Sequence, residues 1–195
     1  MTVSHKYRFI MVRCQKTASS SMVRAFRNYD PEIITRLTCR PEKLLGYRCA
    51  PPHIPGYEIP KLLTPEQSKE YFKFGFVRNP WDRMVSAWSY LIQGKRRQIK
   101  ENAFIPWVLR DHKWFGLDFN MLDFMGPVDF IGRFESLQDD FNFVSSKVGL
   151  PHQVLPHKNK RKHKHYTEYY NPEAREKVRS RYSKDIEYFG YEFGA

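Results

Sequence analysis

The sequence predicts an α/β fold: a single P-loop-like domain over residues 1–195, with a mostly parallel central sheet flanked by helices. Short apolar runs alternate along the chain with segments of helical periodicity, and this alternation is typical of parallel strand–helix–strand units. The length of 195 residues suits one domain with a core of its own. Hydrophobic residues make up 41% of the chain, which excludes a disordered protein in spite of the formal net charge of +12.

The first strand–helix pair is predicted near the N-terminus. Tyr7 to Val12 is an apolar run with a β-branched end, as expected for a buried strand. The serines at 19–21 can provide the N-cap of a helix that follows the strand. The apolar positions of this helix recur at helical spacing and are Met22, Ala25, Phe26 and Tyr29.

The second pair is predicted in the middle of the chain. Phe72 to Val77 is an apolar strand, and Asn79-Pro80 then supplies a cap and a proline at the first helical position. The helix has an apolar stripe, so its two tryptophans are expected in the core rather than on a binding surface. The stripe consists of Trp81, Met84, Val85, Trp88 and Ile92.

The C-terminal part carries the remaining elements. A third strand is predicted at Asp129–Ile131, a helix from Leu137 to Val148, and a last helix from Ala174 to Phe189. Residues 95–125 are expected to be helical, although their apolar pattern is weak. Residues 41–65 hold six of the thirteen prolines, so we predict a long ordered loop or lid there rather than a helix.

Charge and cysteine usage narrow the class of protein. The excess of Lys and Arg indicates an anionic partner. Cys14, Cys39 and Cys49 are an odd set without metal-ligand spacing, so we expect no disulfide framework, no metal site and a reducing compartment. No stretch approaches the ~20 apolar residues of a membrane-spanning helix, and residues 1–11 lack the pattern of a signal peptide. We therefore expect a cytoplasmic protein.

The segment between the first strand and the first helix is a candidate anion site. Residues 13–21 read Arg-Cys-Gln-Lys-Thr-Ala-Ser-Ser-Ser, which places an ammonium and four hydroxyls at a helix N-terminus. Unpaired N–H groups and the helix dipole favour an anion there. The segment lacks the glycines of a Walker A loop. A capped helix with a surface lysine is the alternative interpretation.

A second candidate lies in the segment from Phe76 to Trp88. Arg78 follows the strand at its carboxyl end, where open α/β sheets bind ligands. Ser86 lies about two turns further on, on the polar face of the helix. Together they can hold a phosphate, Arg78 by its fork of N–H groups and Ser86 by its hydroxyl. The alternative is a structural ion pair between Arg78 and Asp82.

These two segments resemble the PAPS-dependent sulfotransferases of the membrane-type carbohydrate family and their short bacterial relatives, where PAPS is 3′-phosphoadenosine 5′-phosphosulfate. Lys-Thr-Ala-Ser-Ser-Ser at 16–21 is similar to the family's 5′-phosphosulfate loop. Residues 76–87 are similar to its 3′-phosphate motif. Further similarity at 131–135 and 169–191 extends the resemblance over nearly the whole chain. The chain departs from many relatives at Cys14-Gln15, where those relatives have a proline before the lysine.

The resemblance implies a donor, an acceptor and the residues that bind the donor. It implies transfer of a sulfuryl group from PAPS to a hydroxyl, with a carbohydrate or glycoconjugate as the expected acceptor and adenosine 3′,5′-bisphosphate as a product. The loop would hold the 5′-phosphosulfate, and the second motif would hold the 3′-phosphate. The implied donor-binding residues are Gln15, Lys16, Thr17, Ala18, Ser19, Ser20, Ser21, Arg78, Ser86, Arg161 and Lys162.

Two residues are candidates for catalysis. Lys16 can stabilise the charge that develops on the leaving phosphate. His53, which lies in the proline-rich segment, can accept the acceptor's proton, because a neutral histidine is the usual base near pH 7. Glu58 and Glu135 are weaker candidates for this base, and Glu135 can also be a structural acid at a helix start.

Two loops are assigned to the substrates. The basic run at 157–165 is expected to cover the donor, with Asn159 and the two basic residues named above near its phosphates. It can also attract an acidic glycan. Its three histidines are weak metal candidates, because they lack further ligands. The proline-rich loop at 41–65 and residues 93–125 are expected on the acceptor side, where loops carry specificity.

Three other functions stay open at this stage. An ATP-dependent kinase of related topology is disfavoured by the missing Walker glycines. A nucleic-acid-binding module would explain the net charge of +12 without needing Lys16 or Arg78. A relative that binds the donor but has lost activity is the third.

Overall fold

The sheet of the computed structural model confirms the predicted fold class. The structure describes residues 1–35, 53–92, 104–110, 117–156 and 164–195. Within these ranges four strands form one sheet in the order β1-β2-β3-β4. The strands are β1 (Thr2–Ser4), β2 (Phe9–Val12), β3 (Phe72–Val77) and β4 (Phe130–Arg133).

The three longer strands are parallel. β2 pairs with β3 and β3 with β4, so that Val12 lies beside Gly75 and Val77 beside Arg133. β1 is antiparallel to β2, and its three residues are too short to give a periodic signal in the sequence. The parallel register brings the carboxyl ends of β2, β3 and β4 to one edge of the sheet, which is where such sheets bind ligands.

Helices cover both faces of the sheet. One face packs against α1 and α7 around the phenylalanines of the strands, such as Phe9, Phe74 and Phe76. The other face, with Ile10 and Val12, packs against α4, α5, α6, α8 and α9. The helices are α1 (Ser19–Arg27), α2 (Ile59–Leu62), α3 (Pro65–Glu70), α4 (Pro80–Ile92), α5 (Phe104–Leu109), α6 (Met121–Met125), α7 (Leu137–Lys147), α8 (Pro172–Arg181) and α9 (Ser183–Phe189).

The second predicted helix is confirmed in detail. α4 begins at Pro80, and the Asn79 side chain accepts a hydrogen bond from the Trp81 amide at 3.1 Å, as a capping residue does. Trp81 and Trp88 are buried in the core. Both therefore contribute packing, as the apolar stripe predicted.

Three local predictions are wrong. The N-cap of α1 is Ala18 rather than a serine, and its methyl side chain makes no capping hydrogen bond. Residues 56–62, inside the predicted proline-rich loop, form a 3-10 turn and the short helix α2. The predicted last helix is two helices separated at Tyr182, whose backbone leaves the helical region. Residues 41–52 of the proline-rich loop lie outside the described residues.

No helix in the ranges that the structure describes has the length and apolar character needed to cross a membrane.

Candidate active site

Three chain segments meet at the carboxyl edge of the sheet. The β2–α1 loop (residues 13–18) follows β2, the β3–α4 turn (residues 78–79) follows β3, and residues 134–136 follow β4. Because these strands are adjacent and parallel, the three segments are neighbours in space. The residues predicted from two distant sequence motifs therefore share one edge.

The β2–α1 loop has an unusual backbone. Lys16 and Ala18 have positive φ angles of 68° and 61°. This conformation costs roughly 1–2 kcal/mol for a residue with a side chain, and it persists only where the surroundings determine it. Thr17 lies between these two left-handed residues, and backbone concavities that bind anions form where left-handed residues occur in a turn.

The loop is fixed from inside as well. The Thr17 hydroxyl donates to the Cys14 carbonyl at 3.0 Å. The amide of Ser21 donates to the Ala18 carbonyl at 2.9 Å and starts α1. Burial raises the pKa of the Cys14 thiol to about 12, so this cysteine is protonated and is not a nucleophile.

Arg78 joins the two predicted motifs. Its Nη1 donates to the backbone carbonyl of Lys16 at 3.0 Å. Its Nε and Nη2 bind Asp82 at 2.8 and 2.7 Å, and its guanidinium stacks on the Phe134 ring at 3.8 Å. The structure thus contains the predicted ion pair with Asp82, and it places that pair directly against the β2–α1 loop.

A second arginine, which neither sequence motif predicts as a site residue, also binds the loop. Arg83 is fully buried, and its Nε donates to the Gln15 carbonyl at 3.2 Å. The sequence could have suggested that Arg83 is buried, because it lies one helical turn before the apolar Ala87. The structure buries both residues. Two neighbouring carbonyls of the loop are therefore each held by an arginine that β3–α4 supplies.

The side chain of Lys16 extends toward α4. Its ammonium lies over the ring of Tyr90, 4.4 Å from the centroid. Asp82, Ser86 and Tyr90 follow one another at a spacing of four residues, so they lie on one stripe of the helix. Ser86 is half-buried on this stripe, between the partner of Arg78 and the partner of Lys16.

His53 reaches the same edge from the proline-rich segment. Its Nδ1 lies 2.7 Å from the Arg13 carbonyl at the start of the loop. A carbonyl can only accept, so Nδ1 carries the proton and Nε2 keeps its lone pair. Burial lowers the pKa of His53 to about 4. The imidazole is therefore neutral at physiological pH and can accept a proton at Nε2.

The two glutamates have structural partners. Glu135 accepts from the Asn79 amide at 2.6 Å and from the Tyr191 hydroxyl at 3.3 Å, which ties the β3–α4 turn to the C-terminal segment. Glu58 is buried and pairs with Lys61 at 3.1 Å. These contacts support the structural interpretation of Glu135.

Most predicted donor-binding residues lie at this edge, and two fall outside what the structure describes. The loop residues from Gln15 to Ser21, Arg78, Ser86 and His53 all belong to segments that begin or meet there. Arg161 and Lys162, like Asn159, lie outside the described residues. Among the described residues there is no cluster of three or more His, Cys, Asp or Glu that could hold a metal ion.

Comparison with known proteins gives an independent indication of the family. The sequence model of the sulfotransferase family matches residues 1–192, essentially the whole chain. An uncharacterized protein of Archaeoglobus fulgidus is 32% identical over 109 residues, which cover 52% of this chain and 87% of that protein. No solved structure gives a significant match.

Proposed function

Because the chain belongs to the sulfotransferase family, we propose that it transfers a sulfuryl group from PAPS to an acceptor hydroxyl and releases adenosine 3′,5′-bisphosphate. The observation that carries this proposal is the hydrogen bond from Arg78 to the Lys16 carbonyl. This hydrogen bond brings together, in one site, a helix N-terminus that can bind a phosphosulfate and an arginine that can bind a second phosphate.

The donor would be held at both ends. The amides from Thr17 to Ser20 and the hydroxyls of the three serines would surround the 5′-phosphosulfate, and Arg78 with Ser86 would bind the 3′-phosphate. An arginine has five N–H donors. Within the described part of the chain, three of those in Arg78 bind Asp82 and the Lys16 carbonyl. The other two can donate to a phosphate.

The transfer is an in-line displacement at sulfur. A bond forms from the acceptor oxygen to sulfur while the bond from sulfur to the bridging phosphate oxygen breaks, as in phosphoryl transfer. The bridging oxygen gains negative charge, and the Lys16 ammonium would stabilise it. The acceptor's proton would pass to Nε2 of His53, whose other nitrogen is held by the Arg13 carbonyl.

The acceptor is proposed to be a carbohydrate or glycoconjugate. The net charge of +12 favours an anionic one, since an acidic glycan is drawn to a basic surface over long distances. The position of His53 supports an acceptor site next to the proline-rich segment. This segment supplies His53, whose ring binds the Arg13 carbonyl at the start of the β2–α1 loop. The proposed role of the 157–165 run is to cover the donor.

Calorimetric titration with adenosine 3′,5′-bisphosphate tests this function. We expect one site, with binding weakened about 30-fold or more in a Lys16→Ala, Arg78→Ala double variant and unchanged in a control in which exposed Lys6 is replaced by Ala. ATP with Mg²⁺ and a single-stranded oligonucleotide serve as competing ligands. Stronger binding of ATP would indicate a kinase, and salt-sensitive oligonucleotide binding that survives in the double variant would indicate a nucleic-acid module.

Activity needs a separate assay, because a relative can bind the donor without using it. Labelled PAPS and a panel of neutral and acidic oligosaccharides would be incubated with the full chain. Formation of labelled sulfate ester supports the proposal, whereas tight bisphosphate binding without transfer to any acceptor or water would indicate a donor-binding protein that has lost activity.

A further inference from the structure

We propose that Arg83 is a positioning residue that holds the β2–α1 loop in its anion-binding conformation through the Gln15 carbonyl. The inference rests on the proposed function for the identity of the ligand, but the contact that carries it is independent of any ligand. Arg83 Nε lies 3.2 Å from that carbonyl, and the side chain is fully buried.

The orientation of the loop amides follows from the two arginines. In a trans peptide the N–H points opposite to the C=O of the preceding residue. Arg83 takes the Gln15 carbonyl and Arg78 the Lys16 carbonyl. The amides of Lys16 and Thr17 are therefore turned away from the guanidinium groups, toward the side where the loop can receive an anion.

The backbone angles give a second reason for such a support. Lys16 and Ala18 keep positive φ angles although neither is a glycine. A loop with two such residues would relax to another conformation without outside contacts. The held carbonyls of Gln15 and Lys16 belong to the peptide groups on either side of Lys16, so these contacts restrict the rotation of both planes and hold Lys16 in its left-handed conformation.

Arg83 acts on the loop and not on the ligand. Arg78 is also buried but keeps 8% of its side chain exposed, whereas Arg83 has none of its surface exposed. Arg83 faces Tyr182, with its guanidinium 5.5 Å from the ring centroid, and it is attracted electrostatically by the Asp185 carboxylate.

The environment of Arg83 extends the support to the C-terminal helices. Asp185 accepts from the amides of Met121 and Leu122 at 2.7 and 2.8 Å, so it is fixed at the start of α6. Tyr182, at the junction of α8 and α9, donates to the Leu117 carbonyl. The C-terminal helices therefore contribute to the site indirectly, by holding the arginine that holds the loop.

Hydrogen exchange of the ligand-free protein tests the positioning. In Arg83→Met we expect the amides of residues 14–18 to exchange about tenfold faster, while those of β3 keep their rate, because only a local opening is released. Arg181→Met is the matched control: Arg181 also lies over the Tyr182 ring but binds Asp118. Equal acceleration in the loop and in β3, or none in the loop, would overturn the proposal.

A ligand comparison separates positioning from general stability. Arg83→Lys retains a charge for the case that Arg83→Met does not fold, but it cannot reproduce the planar fork. We expect it to weaken binding of adenosine 5′-monophosphate about tenfold and to leave adenosine 3′-monophosphate unchanged. Equal losses for both would contradict the proposal. If the wild-type protein binds neither nucleotide, the proposed function fails, and the exchange experiment alone decides the role of Arg83.

Discussion

The two halves of the candidate site are built in different ways. The β2–α1 loop presents mainly backbone, in a conformation that Arg78 and Arg83 impose from outside the loop. The β3–α4 motif presents side chains, Arg78 and Ser86, on a helix whose cap is its own Asn79. The first half therefore depends on distant residues, whereas the second is locally determined. Four substitutions test this difference, beginning with the largest expected effect.

Replacing Lys16 by Ala should affect turnover far more than binding. The ammonium is proposed to act on charge that appears only in the transition state, so we expect kcat to fall about 10³-fold. The Kd of adenosine 3′,5′-bisphosphate should change only slightly, because the backbone of the loop remains. The exposed Lys6 serves as control through Lys6→Ala. A fall in binding as large as the fall in turnover would show that Lys16 stabilises the ground state.

His53→Ala should lower kcat about 10²-fold by removing the proposed base. Because burial lowers the pKa of His53 to about 4, the wild-type rate should be flat at neutral pH and should fall only as the pH falls through about 4, where the ring becomes protonated. The variant should lack this acid limb. His152→Ala, at an exposed position, is the control. An unchanged acid limb in the variant would point to another base.

Arg78→Ala should act mainly on donor affinity. Loss of a charge-assisted contact to the 3′-phosphate should raise the KM for PAPS about 30-fold. With adenosine 5′-phosphosulfate, which lacks the 3′-phosphate, the effect should be much smaller and should reflect only the lost bond to the Lys16 carbonyl. The exposed Arg8, paired with Glu70, supplies the control Arg8→Ala. Equal effects on both donors would contradict a 3′-phosphate role.

Tyr90→Ala should give the smallest effect. The ring holds the Lys16 ammonium at 4.4 Å, and a cation–π contact at an exposed site contributes about 0.5–1 kcal/mol. We expect a reduction in kcat of about threefold, with Tyr90→Phe close to wild type because the ring is kept. Tyr188→Ala, at another exposed tyrosine, controls for surface effects. Identical rates in Tyr90→Ala and wild type would show that the ring does not position the lysine.

Local patterns predicted the parts of the fold whose stabilisation is local. An apolar run predicts the strand at 72–77, and a capping residue predicts the helix that begins at Pro80. The structure has both elements within one residue of these predicted positions. The left-handed Ala18 could not be predicted, since alanine has no preference for that conformation. β1 was missed because its three residues are stabilised by pairing with β2 and not by a pattern of their own.

The residues of the candidate site show the same difference between local and distant contacts. Two sequence motifs predict Lys16, the serines, Arg78 and Ser86 as site residues. The family model matches the chain over residues 1–192, a range that contains both motifs. Neither motif predicts Arg83 or Tyr90 as a site residue, because their roles depend on contacts with residues 68 and 74 positions away in the chain. The buried partner of the loop and the aromatic partner of the ammonium exist only once β2 and β3 are paired.

The amino-acid order by itself determined which chemical groups are present and which strands and helices carry them, since those depend on neighbours within a few residues. Tertiary structure decided where the two peptide groups that join residues 15–17 point, because two guanidinium groups from another strand–helix unit fix that rotation. A peptide plane rotates freely in an isolated loop, and only a contact from elsewhere in the fold can hold it.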